Sequence, residues 1–350
     1  MTSAIPAGNR VRELRLKLGL TQGELASRAG VSRPSITAIE SGRITPSVTA
    51  AVAIARALGA TVEATFAATE TLSPEWAWSP PRAAWRAWQA EVAEKPLLVP
   101  VEGIASASTV HDVVASNEPD RAFDWRLARS TLVVASCDPA AGQMAAEYHA
   151  LTGQRMIVVR RSSRQALELL RQGKVHVAGM HLATHGRRGT NAEIARDMLG
   201  NGYGIVRGAS WKAGVATSGR LESASVRRLS VGGVRWVGRE TGSGARQCLD
   251  EILGTERTYR HLARDHAGVV EAIRSGWADA GVCIELTSLE AGLAFRSVRT
   301  EDYDLVFAEA SGGDPRIRGL LQLLESPRYR QIVGELPGYN SDETGQQAVI

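Results

Sequence analysis

Three turns in this chain set hydroxyls beside the start of a helix. Ser136-Cys137-Asp138 follows the apolar run TLVVAS, Ser162-Ser163 follows MIVVRR, and Thr241-Gly242-Ser243-Gly244-Ala245-Arg246 follows VRWVG. The first backbone N–H groups of a helix have no partner within it, so with neighbouring hydroxyls they suit an oxyanion or a carboxylate. Arg246 would add a planar cationic fork. Plainer readings stand beside these: Ser162 as an N-cap, Gly242 with Gly244 as a turn, and Arg246 pointing away to cap or pair elsewhere. A second kind of chemistry lies near the start. Ile36 and Ile39 are spaced for burial, which turns Arg33, Pro34, Thr37 and Ala38 outward. An exposed helix N-terminus carrying Arg33 and Thr37 has the geometry that enters a DNA major groove.

The elements that position these residues follow from local signals. Thr21 caps a first helix with Glu24 as its capping-box partner, Leu25 and Ala26 form its apolar face, and Gly30 makes the turn. Ser32 caps the next helix, with Pro34 in its first turn. Val11, Leu14 and Leu18 give a buried stripe ahead of this pair. Thr45-Pro46 starts a helix behind it, carrying Val48, Val52, Ala55 and Leu58. From Thr131 the rhythm becomes strand–helix–strand: TLVVAS, a helix from about 140 to 151, MIVVRR, a helix over 162–173, and VHVAGMHL. This order implies parallel strands with helices on their faces. A second set follows: 203–206, 211–216, 234–238, a helix over 244–253, another over 266–275, then strands at 278–284, 295–298 and 303–308. Helices near 315–325 and 327–334 end the pattern.

The string T-Q-x-E-L-A-x-x-x-G-V-S-x-x-x-I-x-x-I-E-x-G, running on to Pro46, resembles the Xre or phage-repressor helix-turn-helix family over about residues 8 to 68. The resemblance implies a double-stranded DNA operator bound by a homodimer. It places Arg33, Thr37 and Pro34 at base edges, Gln22, Ser35 and Arg43 on phosphates, and Ser32 and Ala38 on the same surface.

ASCDPAAGQMAAEY, SSRQALELLRQGKVHVAGMHLAT, GRETGSGARQCLDEIL, DHAGVVEAIRSGWADAGVC and EDYDLVF resemble the type II periplasmic-binding-protein fold over about 131 to 338. They are most similar to the molybdate-binding-like domain found fused to helix-turn-helix regulators. That resemblance implies two lobes closing over a small solute, with residues ~206–295 as the second lobe. Ser163, Ser243 and Arg246 match its cleft-lining motifs best, followed by Ser136, Cys137, Ser162, Thr241 and Tyr303. The implied effector is molybdate or tungstate. Arg246 in the pocket would favour a small organic carboxylate instead.

Composition sets the frame. A chain of 350 residues with 44% hydrophobic and 22% charged residues is ordinary globular protein, long enough for two or three domains. Its net charge of +4 is unevenly placed. Residues 1–56 hold eight Arg/Lys against three Glu, whereas 301–350 hold four Arg against nine Asp/Glu. The basic end belongs with phosphate. Cys137, Cys248 and Cys283 have no metal-binding spacing, and no apolar run approaches the ~20 residues of a membrane span. His181 and His185 are four apart but lack a third ligand. The expected location is cytoplasmic.

The expected organisation is an all-α helix-turn-helix domain over 1–70, a Trp/Pro-rich linker over 71–130, a two-lobed α/β domain over 131–338, and a polar tail over 339–350. Trp76, Trp78, Trp85 and Trp88 in the linker either clamp a ligand or fasten it to the next domain. His111-Asp112 stands apart as a lone polar pair. The expected function is a ligand-responsive DNA-binding regulator without cofactor, metal or membrane. The competing reading is an enzyme with a DNA-binding appendage, with Asp138, His181 and Cys283 as its candidates. A third is a constitutive DNA-binding protein whose C-terminal half serves only assembly.

Overall fold

The computed structural model describes residues 10–66, 73–102, 110–115, 123–183, 190–231, 233–254 and 257–350. They fall into two units, Met1–Ser73 and Pro74–Ile350.

The first unit is helical: α1 (Val11–Lys17), α2 (Gln22–Ala29), α3 (Arg33–Glu40), α4 (Val48–Ala57) and α5 (Val62–Phe66). Val11, Leu25, Ile36, Ile39, Ile54 and Leu58 meet in one core. Two expected stripes shift. Leu18, the C-cap just past α1, is 52% exposed, while Arg15 is buried and donates to the Leu20 carbonyl (2.6 Å). Ser47 caps α4, so Ala51, Ile54, Ala55 and Leu58 face inward while Val48 and Val52 face solvent.

The segment expected as a linker is instead a sheet. It comprises β1 (Glu75–Trp76), β2 (Trp85–Val92), β3 (Lys95–Pro100) and β4 (Val113–Ala115), in the order β1-β3-β2-β4, followed by α6 (Trp125–Arg129). β2 and β3 form a hairpin turning on Ala93 and Glu94, both at positive φ (49° and 63°). That is the backbone a tight two-residue hairpin demands, here built without the glycine or asparagine that would announce it. Ala90, Val92, Leu97 and Val99 share a core with Val133, Ile157 and Leu167 of the larger domain. Trp78 and Trp88 pack against that core. The indole N–H of Trp85 donates to Val101 O (2.8 Å), and that of Trp88 to Val110 O (2.7 Å). Asp112 is no isolated group: Arg155 holds it at 2.6 and 2.8 Å, pinning the small sheet to the large one.

The large sheet is then laid down in alternation. β5 (Thr131–Ser136), α7 (Ala141–Thr152), β6 (Arg155–Arg160), α8 (Ser163–Arg171), β7 (Val177–Met180) and α9 (Asn191–Leu199) build the first lobe. β8 (Tyr203–Thr217) leads to α10 (Val226–Val231), β9 (Trp236–Arg239), α11 (Gly244–Leu253), β10 (Leu262–Ala263), α12 (His266–Arg274), β11 (Ala280–Ile284) and α13 (Glu285–Glu290) of the second. β12 (Ala294–Ala308) returns to the first lobe, where α14 (Pro315–Glu325), α15 (Pro327–Gly334), β13 (Tyr339–Asn340) and β14 (Gln347–Val349) finish it.

The strand path is β10-β9-β11-β8-β12-β7-β5-β6. β8 and β12 run antiparallel from Thr217↔Ala294 to Tyr203↔Ala308 and so thread both lobes. Each was expected as two strands, with 207–210 and 299–302 left between them. They do not break because their charges are matched: Arg207 bonds Asp304 (2.6 Å), and Arg299 bonds Glu301 (2.6 Å). The expected polar tail is also structured. β13 and β14 pair with β8, Thr344 donates to Gly208 O (3.0 Å), and Ile350 is buried.

Candidate functional site

In the first unit the capping box is complete: Glu24 N–H donates to Thr21 Oγ1 (3.2 Å) and Thr21 N–H to Glu24 (2.7 Å). Gly30 closes α2 at φ +63°. Ser32 caps α3 by accepting from Ser35 N–H (3.1 Å) and shares a hydroxyl contact with the Ser35 side chain (2.7 Å). Ser32, Arg33, Pro34 and Arg43 are exposed, whereas Ser35, Thr37 and Ala38 are half-buried. Gln22 has a further duty. Its amide donates to Glu40 (2.9 Å) and its carbonyl accepts from the Thr37 hydroxyl (3.1 Å), joining α2 to α3. Arg15 meets the same Glu40 at 2.6 Å with both side chains nearly buried. Burial alone would raise the Glu40 pKa, but hydrogen bonds from Arg15 and Gln22 outweigh it and hold the carboxyl below its usual range. α3 is thereby fixed at its base while its N-terminal turn is presented outward.

The second constellation gathers where strands of the two lobes end. From the first lobe come Ser136 at the end of β5 and Cys137 after it, Ser163 at the head of α8, and His181 just past β7. All four are buried. Ser136 Oγ and Tyr303 OH share a hydrogen bond of 2.6 Å, and Ser163 Oγ accepts from the His181 N–H (3.1 Å). Trp211 stacks on Tyr303 (4.8 Å) and meets His181 edge-on (5.1 Å). Tyr339 OH donates to Asp138.

Beneath them lies a charged group. His181 Nδ1 is 2.8 Å from Glu301 Oε2, which also accepts from Trp211 Nε1 (3.2 Å), while Arg299 holds the other oxygen. Burial works against the charged form of each partner. For His181 that effect is exceeded by Cys137 and Glu301, so its pKa is pushed up to about 10. For Glu301 it is exceeded by His181 and Arg299, and the pKa falls to about 2. Both directions favour the charged forms, an imidazolium–carboxylate–guanidinium chain.

The second lobe contributes Arg239 at the end of β9, Ser243 before α11, and His266 at the head of α12, each about 1% exposed. Arg239 Nη1 lies 3.4 Å from His266 Nδ1, and the His266 and His181 rings are 5.9 Å apart across the lobes. Burial, Arg239 and His181 all drive the His266 pKa well below its ordinary value, so this ring is neutral. The lobes touch here. A Cβ on Gly244 would lie 2.1 Å from His181 O, and Arg160 reaches Asp265 at 3.2 Å.

The sequence-derived residues divide accordingly. Ser136, Cys137, Ser163 and Tyr303 converge, and Ser243 lies beside Gly244. Ser243 Oγ is occupied, accepting from Arg246 N–H and donating to Glu240 O (3.1 Å each). Ser162 is buried, with its N–H on Gln165 (3.2 Å), and Thr241 is exposed. Arg246 does not supply the expected free cationic fork. Its Nε meets both oxygens of Asp250 (2.8 and 2.9 Å), one helical turn on, and it lies over the Tyr259 ring. Arg239, His266, Glu301 and Trp211 were missed. A charge ending an apolar strand, as in VRWVGR, was the available signal for Arg239. Among the described residues no three His, Cys, Asp or Glu could hold a metal ion, and His185 lies outside them. Nor is any described helix long and apolar enough to cross a membrane. Cys283, an enzyme candidate, is a core residue whose thiol burial pushes up to about 12.

Comparison with known proteins finds relatives for each of the two units. A model described as PBP superfamily domain matches residues 145–325, and a helix-turn-helix model matches 11–64. Over 185 residues, half of this chain, the sequence is 26% identical to the uncharacterized protein YvgK of Bacillus subtilis and spans 59% of that protein's length. Over 49 residues, 14% of this chain, it is 59% identical to an uncharacterized HTH-type transcriptional regulator of Methanothermobacter thermautotrophicus, covering 71% of it. Among solved structures, PhnD1 from Prochlorococcus marinus, in complex with methylphosphonate, aligns at TM-score 0.42 and 12% identity over 63% of this chain and 93% of its own. The chain belongs to the PBP superfamily, and it carries that domain behind an N-terminal helix-turn-helix.

Proposed function

We propose that this protein is a DNA-binding transcriptional regulator that senses a small anion in its two-lobed domain. One observation carries the reading: a helix-turn-helix with an outward α3 N-terminus is joined in one chain to two lobes whose facing strand ends bury hydroxyls and cations. Arg33, Thr37 and Pro34 read base edges, and Ser35 and Arg43 meet phosphates. Gln22 acts by holding Thr37 and Glu40, which sets the pose of α3. Ser136, Cys137, Ser163, Ser243 and Tyr303 line the effector site. The effector is a molybdate- or tungstate-type oxyanion or a small organic carboxylate. It acts by binding one lobe arrangement more tightly than the other and so shifting the paired reading heads of a cytoplasmic homodimer.

The test measures operator affinity of the full chain, on DNA selected from a random pool, with and without molybdate, tungstate, sulfate and a panel of organic acids. An effector that changes affinity at least fivefold supports the reading. Arg33→Ala is expected to abolish operator preference while leaving effector-induced thermal stabilisation intact. Loss of both together would count against this division of labour, and turnover of a bound metabolite would move the weight to an enzyme.

A further inference from the structure

Arg239 is the most unusual charge in the molecule. Its guanidinium is about 1% exposed, yet it has no ion pair among the described residues. Burial pulls its pKa down, and Cys137, Asp265, Cys283 and Glu240 act on it only through space; Asp265 is already engaged by Arg160 (3.2 Å) and by capping α12 through Gly268 N–H (2.8 Å). Among the described residues its guanidinium has one side-chain hydrogen bond, Nη1 to His266 Nδ1 at 3.4 Å. Because Nη1 can only donate, His266 Nδ1 must accept, which puts the ring proton of this neutral histidine on Nε2. Among the described residues neither that Nε2–H nor the Arg239 Nε–H has a hydrogen-bond partner. Two buried donors from one hydrogen-bonded pair, one of them charged, are thus unmatched. They sit at the lobe boundary, opposite Cys137 and the His181 imidazolium. Leaving a buried charge unmatched is among the costliest arrangements a folded chain can hold.

We propose that Arg239 and His266 form an oxyanion-binding site in the second lobe, supplying one full positive charge and one neutral imidazole donor to an anion held between the lobes. The proposal rests on the small-anion reading above and names residues for it. The required ligand carries formal negative charge and at least two acceptor oxygens; a carboxylate and a tetrahedral oxyanion both satisfy this. Neutral polyols and cations do not. In the first lobe the Ser136 and Tyr303 hydroxyls bond each other and Ser163 Oγ accepts from the His181 N–H, so the second-lobe pair provides the charge recognition.

The experiment follows thermal unfolding of the full chain, dialysed free of oxyanions, with phosphate, sulfate, molybdate, acetate, lactate and succinate as probes and sorbitol as the neutral control. At least one oxyanion is expected to raise the unfolding temperature saturably, with sorbitol silent. Phosphate, sulfate or molybdate as the active arm assigns a tetrahedral ligand, and the carboxylates assign an organic one. Arg239→Met should weaken the apparent affinity tenfold or more. Without anion the same variant should unfold above wild type, because an unmatched buried charge is gone. His266→Gln, which keeps a donor, should fall between. Equal anion affinity in Arg239→Met would overturn the site, as would its unfolding below wild type in anion-free buffer. An anion response gained only in Cys137→Ala would also overturn it, since the Cys137 sulfur would then be the native partner of Arg239. Operator release by a neutral metabolite, with every oxyanion silent, would sink the site and keep the regulator. Arg239-dependent oxyanion binding with no effect on DNA would do the reverse.

Discussion

His181 Nδ1 sits 2.8 Å from Glu301 Oε2 with each side chain 1% exposed, and this pair gives the two-lobed domain a defined pH window. The His181 pKa is raised to about 10 from an unfolded value of about 6.5, so its contribution is complete below pH ~6.5 and is lost as pH climbs toward 10. The Glu301 pKa is lowered to about 2 from about 4.3, so its contribution is complete above pH ~4.3 and is lost as pH falls toward 2. Both are fully present only between about pH 4.3 and 6.5. Urea unfolding should therefore show stability declining above that window by up to about 1.4 kcal/mol per pH unit. His181→Phe should flatten the alkaline limb. An unchanged limb in that variant would show that the ring is neutral in the native state.

The Arg15–Glu40 pair predicts an effect in the helical unit without any change in the DNA-facing residues. Glu40 accepts from Arg15 at 2.6 Å and from Gln22 at 2.9 Å, so Glu40→Ala strands two donors where water has little access. The expected cost is about 1–3 kcal/mol, read as a lower calorimetric transition of this unit. Operator affinity should fall as well, because Gln22 then releases Thr37. Glu40→Gln should recover much of the stability, since an amide oxygen still accepts. A wild-type transition in Glu40→Ala would show that the base of α3 is held by the apolar core alone.

Thiol chemistry separates the three cysteines. Burial pushes Cys248 and Cys283 each up to about 12, and both belong to packed cores of the second lobe. At pH 8 they should react with an aromatic disulfide reagent only at the rate of unfolding. Cys137, 8% exposed at the lobe boundary beside His181, is expected to label first. Mass mapping of the first adduct decides the order, and early labelling of Cys283 would show that the second lobe opens through its core.

How much was legible beforehand depended on whether the signal was local. Thr21, Glu24, Gly30, Ser32 and Pro34 act within a few residues of themselves, and the structure puts each at the cap or turn its chemistry suggests. The run TLVVAS likewise became a strand with the same limits. The small sheet was illegible because its hairpin turns on Ala93-Glu94, residues with no turn signature, and its tryptophans read as linker. The cluster at the lobe boundary failed for a different reason. Glu301 and His181 are 120 positions apart, and Arg299-Thr300-Glu301-Asp302 looks like a loop until Glu301 finds Arg299 on its own strand and His181 beyond the next one. For Arg246 two readings stood open, and the one that pairs it away from the cleft holds, because Asp250 lies four residues on along its own helix.

Gly244 offers the sharpest test of the contact between the lobes. It opens α11, and a Cβ there would fall 2.1 Å from the His181 carbonyl oxygen and 2.6 Å from its Nδ1. Neither neighbour can yield easily. The carbonyl belongs to the backbone just past β7, and Nδ1 is held by Glu301. Gly244→Ala must therefore part α11 from His181 or strain both, at a cost of about 1–3 kcal/mol. Gly142 in α7, where a Cβ meets nothing within 4 Å, is the control, and Gly142→Ala should be neutral or slightly stabilising. Small-angle scattering of the two variants distinguishes the routes. A larger radius of gyration in Gly244→Ala alone means the lobes have parted, whereas an unchanged radius with a lower unfolding temperature means the strain is absorbed in place. If Gly244→Ala matched the control in both measurements, the lobes would not close on this contact. Arg239 would then be reached by solvent, and its unmatched charge would need no ligand to compensate it.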